Sequence, residues 1–219
     1  MEQTKTQQKG LRWRRWVGVF PYLLAIVLAL SIAEYFVRNR AQRIATSDNL
    51  DSGSSSYDAT LGWVLTPNWS GNHQNYDFTA HYLVNGLGFR ADSPLPTERR
   101  GLLYAVLGDS FTFGFGVSED QTFVRQLNKT AGGGATFVNF GVPGYSTDQE
   151  VLLLERYLLN YRPDVVLVVV YMGNDLFDNQ LPVPMQVGLG KPFFAVKDAT
   201  SIEQCTGPTD SGAAGGPTS

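Results

Sequence analysis

Three short stretches carry residues suited to acyl transfer, each at or just past the end of an apolar run. They are Gly108-Asp109-Ser110, Asn139-Phe140-Gly141 and Gly173-Asn174-Asp175, after or within the runs 102–107, 136–140 and 165–171. Ser110 offers a hydroxyl nucleophile. The backbone N–H groups of Ser110 and Gly141, with the Asn174 side-chain amide, make a donor set fit to hold an oxyanion. Gly141 has no side chain, so a substrate can approach its backbone closely. Asp109 is better suited to stabilising the turn by hydrogen bonding than to chemistry. Asp175 and Asp178 can be taken for an acid/base pair, but solvated loop carboxylates are the simpler reading.

The elements that must position these residues follow from periodicity. Residues 102–107 are mostly apolar, as expected for a parallel strand covered on both faces, and residues 165–171, apolar throughout, read as a further strand. Gly108 can adopt the angles of a sharp turn after the first strand. Ser118 with Gln121, and Ser146 with Gln149, fit capping boxes that open two helices. Phe123, Val124 and Leu127 form the apolar face of the first helix, which Gly132–Gly134 ends. The second helix carries residues 151–154 and 157–159 and stops before Pro163. Strand, helix, strand, helix, strand predicts a parallel sheet. The carboxyl ends of its strands share one edge, where open α/β sheets bind ligands.

Charge is divided along the 219 residues. Residues 1–43 hold eight Lys/Arg and two Asp/Glu, a net +6, whereas residues 44–219 hold nine and eighteen, a net −9. An acidic body excludes nucleic acid as the expected partner, since phosphate binding needs a basic face. The basic excess surrounds residues 16–33, eighteen residues without a charge. Trp13, Trp16 and Tyr22 at one end and Tyr35 and Phe36 at the other resemble aromatic belts. Residues 16–37 are just long enough to span a bilayer of roughly 30 Å. Lys5, Lys9, Arg12, Arg14 and Arg15 precede the span, against Arg38, Arg40 and Arg43 after it. The amino terminus is therefore expected in the cytoplasm and the body on the periplasmic or extracellular side. Rival readings are a signal peptide cleaved after Ser31-Ile32-Ala33 and a buried soluble helix.

The predicted organisation is a basic tail (1–15), an anchor (16–37), a linker (38–60), a small β-rich leader (61–101), the α/β body (102–200) and a disordered tail (201–219). Turn signals at Thr66-Pro67-Asn68, Ser70-Gly71-Asn72 and Asn85-Gly86 divide the leader into short strands. Residues 91–101 read as a polar connection, and 181–191 as an irregular loop. His73 and His81 lie in the leader without a third ligand type nearby, so no metal site is expected. Cys205 is the lone cysteine, and no cofactor is implied. Asn68-Trp69-Ser70 and Asn128-Lys129-Thr130 fit the glycosylation pattern, which is short and often fortuitous.

Gly108-Asp109-Ser110 with Thr112 and Gly114 following, then Gly141, then Gly173-Asn174-Asp175, resembles the blocks of the SGNH, or GDSL-type, hydrolases. The similarity covers about residues 102–178; residues 61–89 also look like the leader of membrane-anchored bacterial members. The resemblance implies a three-layer α/β/α, flavodoxin-like sheet, here incomplete. It also implies ester hydrolysis or O-acyl transfer with Ser110, Gly141 and Asn174 as catalytic residues and Gly108, Asp109 and Gly173 as turn support. The substrate class would be an acyl ester, with acetyl groups of a cell-envelope polysaccharide as one instance. Ser110-x-Thr112 does not fit the Gly-x-Ser-x-Gly elbow of α/β-hydrolases. Family members carry an Asp-x-x-His block near their carboxyl end, whereas this sequence has no histidine after His81. The expectation is a truncated chain that lacks its general base and most of its rate. Two other classes fit parts of the pattern: a flavodoxin-like phosphate- or flavin-binding module, and a non-catalytic, membrane-anchored glycan-binding or assembly protein.

Overall fold

The computed structural model describes residues 3–46, 48–91, 101–185, 187–198, 200–205 and 207. The chain divides into two units, Met1–Asp48 and Asn49–Ser219. The first unit is one helix, α1, Gln3–Thr46. Its Leu/Ala-rich centre favours that conformation, and it continues through Pro21. Within it Gly18–Arg43 is long and apolar enough to cross a membrane, and none of those side chains is buried. The predicted span of 16–37 thus lies inside a longer helix. Residues 38–46, expected to begin a linker, extend that helix; Arg38 pairs with Glu34 one turn back, at 2.5 Å.

The second unit starts with five short strands: β1 Asn49–Leu50, β2 Ser55–Asp58, β3 Gly62–Leu65, β4 Ser70–Gln74 and β5 Thr79–Leu83. They form two antiparallel sheets, β1-β4-β5 and β2-β3. The Ser/Asp/Gly composition of 48–58 pointed to a linker, but pairing overrides it: Ser55 to Asp58 lie opposite Leu65 to Gly62. The alternation of β4 and β5 buries one face, as expected of a sheet covered on one side. Residues 92–100, most of the predicted polar connection, lie outside the described residues.

The α/β part contains β6 Leu102–Gly108, the single turn α2 Ser110–Phe113, α3 Phe123–Ala131, β7 Ala135–Asn139, α4 Thr147–Arg156, β8 Val165–Val169 and a second single turn, α5 Asp175–Asp178. The strands form a parallel sheet in the order β7-β6-β8, so the strand leading to Ser110 is central. The Ser118 N–H donates to Gln121 Oε1 at 3.1 Å, but that box opens a 3₁₀ turn, Glu119–Gln121. The cap of α3 is Thr122, whose Oγ1 accepts from the Arg125 N–H. Of the predicted apolar face of α3 only Val124 is buried; Phe123 and Leu127 remain exposed. Ser146 and Gln149 form their box at the start of α4 as read from the sequence. That helix ends at Arg156, and a separate 3₁₀ turn, Leu158–Tyr161, follows it.

β8 is an edge strand with Leu167 and Val168 exposed. An apolar run alone does not reveal which strand ends the sheet. One hydrophobic core joins Leu61, Trp63, Leu65 and Tyr82 of the leader to Leu107, Phe113, Phe140 and Leu153 of the α/β part. Further on, β9 Phe193–Asp198 and β10 Ser201–Cys205 pair as an antiparallel hairpin. The start of the predicted disordered tail is therefore ordered, and residues 208–219 lie outside the described residues. Asn128 clamps α3 to β7 through reciprocal bonds with the Phe137 N–H and C=O. That amide is already engaged within the fold, against glycosylation at Asn128.

Candidate functional site

Ser110 opens α2 directly beyond the carboxyl end of the central strand. Asp109 caps this turn, its Oδ1 accepting from the Phe111 N–H at 2.8 Å. Burial raises the pKa of the Asp109 carboxyl, and the Phe111 N–H opposes the rise. Gly114, at φ 81°, ends the turn. Its N–H and that of Phe115 both donate to the Ser110 C=O. The Ser110 hydroxyl makes no hydrogen bond among the described residues.

The leader holds this loop in place. Arg90, fully buried, donates to the carbonyls of Phe113, Gly114 and Val117. Its guanidinium packs over both the Tyr82 and Phe113 rings, 4.7 and 4.6 Å from their centroids. Glu119 pairs with its Nε at 3.3 Å. Burial pulls the pKa of Arg90 down, and Glu119 counters that pull. The Tyr82 hydroxyl accepts from the Gly116 N–H at 2.8 Å. A second set of bonds ties β3 to the loop after β7. The Trp63 indole donates to the Pro143 carbonyl, Tyr145 OH to the Trp63 carbonyl, and Gln149 Nε2 to the Leu61 carbonyl. The leader is thus a scaffold for both loops that face the site.

Gly141 is not placed as expected. Its N–H donates to Asn139 Oδ1 at 2.9 Å, and it is buried against α2. A Cβ there would lie 2.2 Å from Phe113 N and 2.6 Å from Thr112 C. The absent side chain therefore permits packing of backbone on backbone, not approach of a substrate. Gly144, three residues on, is better placed. It lines the same cavity as Ser110, has φ +80°, and its N–H makes no hydrogen bond among the described residues. The signal that separates the two glycines was in the sequence: Pro143-Gly144 is a turn pair that demands positive φ. Gly141→Ala is expected to destabilise the second unit by about 2–4 kcal/mol, since backbone on both sides would have to move. A urea midpoint unchanged from wild type would contradict that packing.

Asn174 is buried. Its Nδ2 donates to Asp178 Oδ2 at 3.1 Å, and its Oδ1 has no partner among the described residues. One of the two amide hydrogens is thus spent and one is uncommitted. Asp175 and Asp178 are also buried, against the reading of them as solvated loop residues. Asp175 Oδ2 accepts from the Tyr171 N–H, and Asp178 Oδ1 from the Met185 N–H. Gly173 packs under the Tyr171 ring, where a Cβ would meet ring carbons at 2.6 Å. Sequence reading missed Glu150, buried with neither carboxyl oxygen hydrogen-bonded among the described residues. Burial, then Asp175, Asp109 and Asp148, raise its pKa to about 8. Asp175 is raised to about 6, chiefly by burial. Lys191, buried beside them, pairs with Asp148.

Neither histidine serves Ser110 in this arrangement. His73 is buried on β4, bonded through Nδ1 to the Tyr82 hydroxyl and packed edge-on against Phe78 and Phe115. His81 is exposed on β5, bonded to Ser70 and Asn72. Among the described residues no group of His, Cys, Asp and Glu is arranged to hold a metal ion. In comparison with known proteins, no family model matches this chain, and no curated protein matches it.

Proposed function

We propose that the second unit is a serine-centred acyl-ester site of the SGNH type, an esterase or O-acyltransferase carried on a membrane-anchored chain. The observation that carries this reading is the placement of Ser110. Its hydroxyl is uncommitted, it stands at the end of the central strand, and it lines one cavity together with Gly144. Ser110 Oγ attacks the ester carbonyl carbon as a base takes its proton. The Gly144 and Ser110 N–H groups receive the developing oxyanion, together with the uncommitted hydrogen of Asn174. The alcohol leaves with a proton, and water or a second alcohol then takes the acyl group from Ser110. The order β7-β6-β8 is that in which a flavodoxin-like sheet begins, which supports a three-layer frame. The charge bias around α1 supports a cytoplasmic amino terminus and an outward-facing body.

With neither histidine bonded to Ser110, the chemistry rests on the oxyanion donors and is slow. Hydrolysis of p-nitrophenyl esters by the full chain in lipid nanodiscs is expected to be weak and stimulated by added imidazole. Loss of that stimulated rate in Ser110→Ala supports the nucleophile; an equal rate in the variant contradicts it.

A further inference from the structure

The cavity beside Ser110 has a volume of about 530 Å³, within the range of small-molecule sites. One wall comes from the leader, with Trp63, Leu65 and Trp69; the other carries Phe113, Val142 and Leu189. Among the described residues, none that lines it is charged. Its polar lining groups are largely spent on the protein itself. The Trp63 indole N–H is bonded to the Pro143 carbonyl and the Trp69 indole N–H to the Ser52 carbonyl. The Tyr82 hydroxyl is held between His73 and the Gly116 N–H. Among the described residues, the hydroxyls of Ser54, Ser55 and Ser110 and the Gly144 N–H remain uncommitted.

Such a wall fits one class of ligand. A sugar buried there would leave most of its hydroxyls without partners, at a cost for each. A phosphate would find no positive charge. An acetyl group, three heavy atoms at roughly 30 Å³ for each water-sized group, would leave most of the volume empty. An extended apolar chain fills the space and needs no donors. We propose that this cavity is the acyl subsite of the Ser110 site, so that the preferred substrates are esters of apolar acyl chains on the scale of octanoyl rather than acetyl. The inference rests on the reading of Ser110 as nucleophile.

The test compares ethyl and octyl fluorophosphonates as Ser110 labels on the full chain in lipid nanodiscs. Val187→Phe and Leu189→Phe are the variants, since both residues are half-buried on the cavity wall. Each methylene buried is worth about fourfold, the equivalent of about 0.8 kcal/mol. The octyl label is therefore expected to react at least about a hundredfold faster than the ethyl label, and that ratio to fall at least tenfold in either variant. A ratio near one in wild type, or the same ratio in wild type and both variants, overturns the acyl subsite while leaving Ser110 as nucleophile. If neither reagent labels Ser110, the nucleophile reading fails, and bromo-octanoate quenching of Trp63 and Trp69 decides the cavity. Saturable quenching that both variants lose supports an apolar-chain site; quenching equal in all three proteins overturns it.

Discussion

Arg90→Ala is expected to destabilise the second unit by about 3–5 kcal/mol, the cost of breaking a buried charged network by removing one partner. The carbonyls of Phe113, Gly114 and Val117 lose their guanidinium donor together, and each unsatisfied buried acceptor carries its own penalty. Glu119 loses its counter-ion, and the Tyr82 and Phe113 rings lose the cation packed over them. Against a total stability of roughly 5–15 kcal/mol this is a large fraction. Arg90→Lys keeps the charge but not the planar fork, so it cannot reach three carbonyls at once. It is expected to recover less than half of the loss. Urea denaturation read by intrinsic fluorescence checks both variants. The loop that Arg90 grips is the one that begins at Ser110, so reactivity of Ser110 should fall with stability in the same order. Wild-type stability in Arg90→Ala would mean that the carbonyls find other donors.

The second large effect is a dependence of stability on pH set by Glu150. Its folded-state pKa, about 8, lies above the ordinary value of 4.5 because it is buried among other carboxylates. The native state therefore holds a proton that the unfolded chain has released. Stability is full below the ordinary value and is lost as pH rises through about 8. At about 1.4 kcal/mol per pH unit, that window amounts to on the order of 5 kcal/mol. Asp175, raised to about 6, adds a loss of the same sign in the lower part of the window. Glu150→Gln keeps the shape and removes the ionisation. It is expected to be as stable as wild type near pH 5 and markedly more stable near pH 8, by the same linkage. Denaturation midpoints at the two pH values check this. A wild-type midpoint that rises with pH over this range would contradict the placement of Glu150.

Local signals carried part of the fold. The apolar run into Gly108-Asp109-Ser110 gave the central strand and the turn, because that run and that glycine have few other uses. The Ser146 and Gln149 pair marked the start of α4. Other features depend on contacts distant in sequence. No sequence signal marks Arg90 as buried; its burial follows from three carbonyls that only the folded loop brings together. Asp48 to Asp58 reads as a linker because its side chains are small and polar, and it becomes strand by pairing with β3 and β4. β8 reads as a strand from its apolar run, but its place at the edge follows only from its pairing with β6. At the proposed site, Ser110 and Asn174 were chosen from their positions past strand ends alone, and the structure places both beyond the carboxyl ends of their strands, β6 and β8. Gly141 was chosen for its missing side chain, although the same feature also serves close backbone packing. The acidic interior around Glu150 had no periodic or motif signal, since Asp175 meets it from a distant part of the chain.

The most direct test of Ser110 as nucleophile is labelling of the full chain by a fluorophosphonate, with the modified residue located by peptide mass mapping. Wild type and Ser110→Ala are compared, and circular dichroism confirms that both are folded. The account predicts one phosphonyl group on Ser110 in wild type, faster in added imidazole, and none in the variant. Absence of label on folded wild-type protein, or equal label in Ser110→Ala, would contradict it.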